Sequence, residues 1–139
     1  MKKIFFLGLL FLGICSFLQS QTILLQEDFS SASGTTPPAG WTQQTITGDP
    51  LVDLWHFDNP GRRSPASPIA GKFACFDSDK LSNNSQSEEV YLISPVFNAT
   101  TTDKIILEFD QYFMSGLTGA CAVEVFNGTS WVTVYSNCC

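Results

Sequence analysis

The feature that most constrains this chain is the lack of helical periodicity. From Thr22 onward, apolar residues nowhere recur at three- and four-residue spacing over three turns. An amphipathic helix needs that spacing to bury one stripe of its surface. The apolar residues come instead in short runs cut by Gly, Pro, Asn and Ser, the residues that set turn geometry. Eight such runs read as strands: 22–26, 41–47, 51–57, 72–77, 90–93, 104–114, 120–126 and 131–135. The longest alternates clearly, with Ile105, Leu107, Phe109 and Phe113 on one face and Glu108, Asp110 and Tyr112 on the other. The last two runs flank Asn127-Gly128-Thr129-Ser130 and read as a hairpin, because Asn-Gly tolerates the positive φ that such turns require. Residues 30–40 and 62–71, rich in Ser, Gly and Pro, read as loops. The expected fold class is all-β, an antiparallel sandwich.

Residues 1–20 stand apart from this pattern. Lys2 and Lys3 precede the uncharged apolar run Ile4 to Leu18, and Ser20 places a small residue before Gln21. That order predicts a secretory signal peptide over 1–20, leaving a mature domain over 21–139. The apolar run is shorter than the ~20 residues that span hydrocarbon, so no membrane span is expected after cleavage. Cys15 would be the acylated residue of a lipoprotein, a reading that bulky Ile14 disfavours.

Once Lys2 and Lys3 are removed, thirteen acidic side chains face five basic ones, a net charge of −8. Such a surface repels nucleic-acid backbones and anionic membranes, which excludes both as primary partners. It suits cations, neutral glycans and proteins. Cys75, Cys121, Cys138 and Cys139 remain after processing, and export permits disulfides among them. Adjacent Cys138 and Cys139 rarely bond to each other, so Cys75 or Cys121 is expected to pair with one of the terminal two. There is no C-x-x-C spacing, and His56 is the only histidine, which excludes a zinc site.

No catalytic set is expected. A serine triad would have to use His56, which lies between Trp55 and Phe57 in a strand-like run, and no G-x-S-x-G elbow exists. Glu108 and Asp110 share a strand face, but carboxylates on the outer face of a sandwich are common without glycosidase chemistry. Structural calcium is the more credible chemistry, since loops can supply the six to eight oxygens it takes. The candidate ligands are Glu27, Asp28, Asp77, Asp79 and Asp110. Trp41, Trp131 and Tyr112 are the candidate ligand-binding aromatics, because such rings stack on sugar faces and anchor protein contacts.

Several segments together carry a resemblance. Glu27-Asp28-Phe29 followed by Pro37-Pro38-Ala39-Gly40-Trp41 resembles an "E-D-F … P-x-G-W" opening, and Leu54-Trp55-His56-Phe57 a Trp-centred strand. Gly71 to Cys75 resembles a glycine before an apolar strand. Tyr91-Leu92-Ile93-Ser94-Pro95 is similar to "W-L-I-S-P" with Tyr91 in place of Trp, and Ile106 to Tyr112 to "L-x-F-D-x-Y". In this order, over roughly residues 25 to 135, they resemble the cleaved-adhesin or choice-of-anchor J (MAM-like) jelly-roll domains of secreted Bacteroidetes-type proteins. The resemblance implies a jelly-roll β-sandwich of about eight antiparallel strands. It also implies a calcium near the first strand, with Glu27 as its foremost ligand. Further strands normally follow the final hairpin in that family, so the jelly-roll domain is expected to be cut short at its C-terminal end.

The expected function is that of a non-catalytic extracellular module binding glycan or protein at the cell surface. The alternatives are an accessory domain of a larger secreted hydrolase, a peptidase whose catalytic part lies outside this chain, and a structural spacer in a surface protein.

Overall fold

A computed structural model of the chain describes residues 21–81, 87–114 and 119–138. Residues 1–20, expected to be a signal peptide, and Cys139 lie outside the described residues. Among the described residues, regular structure is almost entirely β: four strands in two small antiparallel sheets, with one single-turn helix.

The first sheet joins β1 (Thr42–Thr47) to β2 (Glu89–Ile93). Thr42 lies opposite Ile93 and Thr45 opposite Val90, and a bulge between Thr45 and Thr47 shifts the register at the far end. Trp41 enters β1 from a tight turn, its N–H donating to the Pro38 carbonyl at 3.0 Å. Gly40 holds φ +83° in that turn, where its backbone abuts the Pro95 ring. Between the two strands, Ser78–Leu81 forms α1, with Asp79 in its first turn and Lys80 in its last, complementing the dipole.

The second sheet is the expected hairpin, β3 (Ala120–Phe126) with β4 (Trp131–Cys138). Its turn closes through Asn127 N–H to Ser130 O at 3.0 Å. The Asn127 side-chain oxygen accepts from the N–H groups of Thr129 and Ser130. Gly128 carries the positive φ, +96°. Asn127 serves by capping the turn rather than by adopting a left-handed backbone.

Four expected strands take another form. Residues 22–26 form no ladder with any of the described residues. Residues 51–57 turn back on themselves, because Val52 and Asp53 both donate to the Asp49 carbonyl and the Asp53 carboxylate accepts from Asp49 N–H at 2.6 Å. That leaves His56 alone to pair with Cys75, through reciprocal 2.8 Å backbone bonds. The run 72–77 therefore contributes one bridge rather than a strand. Residues 104–114, the clearest alternation in the sequence, have no ladder partner among the described residues. Alternation reports which faces would separate, whereas a strand exists only where a neighbour accepts its backbone bonds.

The core is small. Among the described residues, Ala32 and Phe57 are its buried apolar members, and Asp53 and Asp77 its buried polar ones. Phe29 gathers this core: its ring lies 5.6 Å from both Trp41, edge-on, and Phe57. Gln43 reaches from β1 to bind the Trp55 backbone, accepting from its N–H at 2.7 Å, and so replaces a missing ladder with a side chain. The Trp55 indole N–H then donates to Val90 O on β2 at 3.3 Å.

Candidate functional site

Two places carry the chemistry expected of a binding module. The first is a cleft of about 370 Å³ lined by Gln26, Glu27, Asp28, Ser30 and Ser31. Its shape follows from Phe29, whose φ of +59° is unusual for a bulky residue. Packing of the Phe29 ring against Trp41 and Phe57 holds that conformation from one side. From the other, the Glu27 carboxylate accepts from Phe29 N–H at 2.6 Å and the Asp28 carboxylate from Ser30 N–H at 2.9 Å. The Ser30 bond holds the Asp28 carboxyl below its ordinary range. Each carboxylate thus accepts one backbone N–H, and Gln26, Ser30 and Ser31 complete the lining of the cleft. The cleft's lining residues carry oxygen atoms, the element calcium takes as ligand.

The five candidate acids do not converge. Glu27 and Asp28 share the cleft. Asp77 is buried and fully engaged: Arg63 donates Nε to its Oδ2 at 2.6 Å and Nη2 to its Oδ1 at 2.5 Å. That pairing holds the Asp77 carboxyl low and pushes the Arg63 guanidinium up. Asp79 lies exposed on α1, its Oδ2 3.5 Å from the same guanidinium. Asp110 sits exposed in the unpaired segment 104–114. Among the described residues, no three His, Cys, Asp or Glu side chains gather where a metal ion would need them.

The second place is the β3–β4 hairpin. Trp131 is 56% exposed and stacks obliquely on Phe126, itself 52% exposed, with ring centres 5.4 Å apart. Tyr112 is 48% exposed. Trp41 lies apart from these, half-buried against Phe29, and its ring serves the core.

Cys75, Cys121 and Cys138 are free thiols. Cys75 is half-buried, and that burial pushes its thiol above the ordinary value, opposite to the activation a nucleophile needs. Cys121 accepts a hydrogen bond from the Gln111 amide at 3.0 Å. His56 Nδ1 lies 3.3 Å from the Asp58 carboxylate.

Gln26, Ser30 and Ser31 line the cleft without having been singled out in the sequence, although their adjacency to Glu27-Asp28 was a usable signal. Arg63 offered none, since its partner Asp77 is fourteen residues away across a loop. Among the described residues, no helix is long and apolar enough to cross a membrane. The chain matches no protein-family model, no curated protein and no solved structure.

Proposed function

We propose that this chain is a secreted or cell-surface binding module, a jelly-roll-type β domain without catalytic function that recognises a glycan or an extracellular protein. The observation that carries this reading is the exposed pair Phe126 and Trp131 on the hairpin. Two large rings left in water have an unfavourable apolar area to remove, and a sugar face or an apolar protein contact removes it. The acidic balance of the chain steers such a surface toward neutral partners and away from polyanions. Calcium belongs to the same proposal as a structural ion in the Glu27–Asp28 cleft.

The test is an array of glycans and extracellular matrix proteins probed with the purified chain and with Trp131→Ala. The expected result is a binder whose signal falls at least tenfold in the variant, the scale of a truncated interface anchor. Silence across every class would overturn the reading. Equal signals from both proteins would move the site away from the hairpin.

A further inference from the structure

The β3–β4 hairpin turns on Asn127-Gly128, and the geometry of that turn favours a reaction as well as a fold. The Asn127 carboxamide oxygen accepts from the N–H groups of Thr129 at 2.9 Å and Ser130 at 3.0 Å. An acceptor that reaches donors two and three residues ahead must fold forward along the turn, which sets its Cγ beside the Gly128 nitrogen. The same two donors polarise the side-chain carbonyl and lie where negative charge develops if Cγ is attacked. The Gly128 N–H donates to no group among the described residues, so its nitrogen is free to attack. Gly128 holds φ +96°, and nothing lies within 4 Å of where its Cβ would stand. Both residues are exposed, so water reaches them.

The other asparagines among the described residues each lack a part of this arrangement. Asn98 comes nearest: its Oδ1 accepts from Thr100 N–H at 3.0 Å and from the Thr100 hydroxyl at 2.8 Å. Ala99 follows it, however, and carries a Cβ where Gly128 has only hydrogen. Asn59 precedes Pro60, whose nitrogen has no proton to lose. Asn137 is held in the ladder opposite Cys121.

We propose that Asn127 is a self-modifying site, deamidated by its own backbone with water as the co-reactant. The Gly128 nitrogen bonds to Asn127 Cγ and the Cγ–Nδ2 bond breaks, so that Nδ2 leaves as ammonia with the proton from Gly128 N–H. The product is a five-membered succinimide ring. Water then opens it. Opening at Cγ yields aspartate, and opening at the main-chain carbonyl carbon yields isoaspartate, in which the chain runs through Cβ and Cγ. Either product puts a carboxylate into residues 127–138, which otherwise carry no charge. Isoaspartate also adds one carbon to the main chain of a turn that closes through Asn127 N–H to Ser130 O at 3.0 Å. Turn length fixes hairpin register, so the pairing of Phe126 with Trp131 beside it is lost first. The site needs only the turn and water, and stands independently of the ligand reading.

The test is incubation of the folded chain at neutral pH for several weeks, beside a sample kept unfolded in guanidinium chloride. Chymotryptic cleavage after Phe126 and Trp131 isolates the site, and mass spectrometry with isoaspartate-specific fragmentation reads it. The expected result is conversion of Asn127 in the folded chain, about tenfold or more faster than at Asn98, a barrier difference of about 1.4 kcal/mol. Conversion in guanidinium alone would overturn the proposal, because the turn would then shield the site. Equal rates at Asn98 and Asn127 overturn it as well, as does no conversion in either sample. Hydrogen exchange on the converted chain reads the consequence. Faster exchange of the β3 and β4 amides is expected, and unchanged exchange would overturn the loss of register.

Discussion

Arg63 grips both carboxylate oxygens of Asp77 from a loop fourteen residues upstream, and the glycine between Pro60 and Arg62 lets the two meet. A Cβ on Gly61 would collide with the Asp77 carboxylate, so the bidentate geometry depends on a hydrogen at that position. Asn59 completes the clamp, accepting from Arg63 N–H at 2.7 Å and donating to Arg63 O at 2.8 Å. The loop 58–63 is thereby tied to the start of α1.

This clamp makes stability depend on acid. The Asp77 carboxyl is held below its ordinary value by Arg63, so the folded state favours its charged form. The resulting stabilisation is present above the unfolded value of about 4 and is lost as pH falls below it. Asp77→Asn is expected to cost about 1–3 kcal/mol at neutral pH, the scale of a lost charged hydrogen bond. Thermal melts across the acid range should show a shallower decline in the variant. Equal acid slopes in both proteins would remove Asp77 from the account.

Gly48 is required for a different reason. It holds φ +111°, and a Cβ there would run into the Asp53 carboxylate, which accepts from Asp49 N–H. Gly48→Ala combines backbone strain with displacement of a buried acid, and a loss of about 1–3 kcal/mol is expected. Urea denaturation measures it. A neutral result would mean that the turn relaxes without Asp53.

Among the described residues, Phe57 is one of two buried apolar side chains, and it packs on Phe29. Phe57→Ala is expected to cost about 3–5 kcal/mol, enough to abolish a cooperative unfolding transition in a domain with so small a core. Leu51→Ala, at an exposed site, should stay within about 0.5 kcal/mol of wild type. Similar transitions for the two variants would place the core elsewhere.

Thiol reactivity should rank by burial. Cys138 is exposed, whereas Cys75 is half-buried with its thiol pushed up by desolvation. Timed alkylation followed by peptide mass spectrometry should label Cys138 first and Cys75 well behind it. Faster labelling of Cys75 would mean that the His56–Cys75 bridge opens readily.

Calcium titration by calorimetry tests the cleft. Binding heat is expected for the wild type and is expected to vanish in Glu27→Gln, while Asp110→Asn retains it. Loss in Asp110→Asn, or no heat at all, would dismiss the cleft as a calcium site.

Much was legible in the sequence where the determinants are local. β1 and β2 fall on their apolar runs, and the β3–β4 hairpin is written in two β-rich runs around Asn127-Gly128. The placement of Glu27 and Asp28 beside a turn also followed from neighbouring residues alone, since their carboxylates bind backbone N–H groups two positions ahead. Tertiary structure decided the rest. It turned 51–57 into a coil held by Asp53 and Gln43, left 104–114 without a ladder among the described residues, and gave Asp77 to Arg63. The physical reason is that alternation and composition report what a segment can bury. Whether a strand forms or a carboxylate stays free depends on which distant backbone or guanidinium arrives beside it, and sequence spacing carries no record of that meeting.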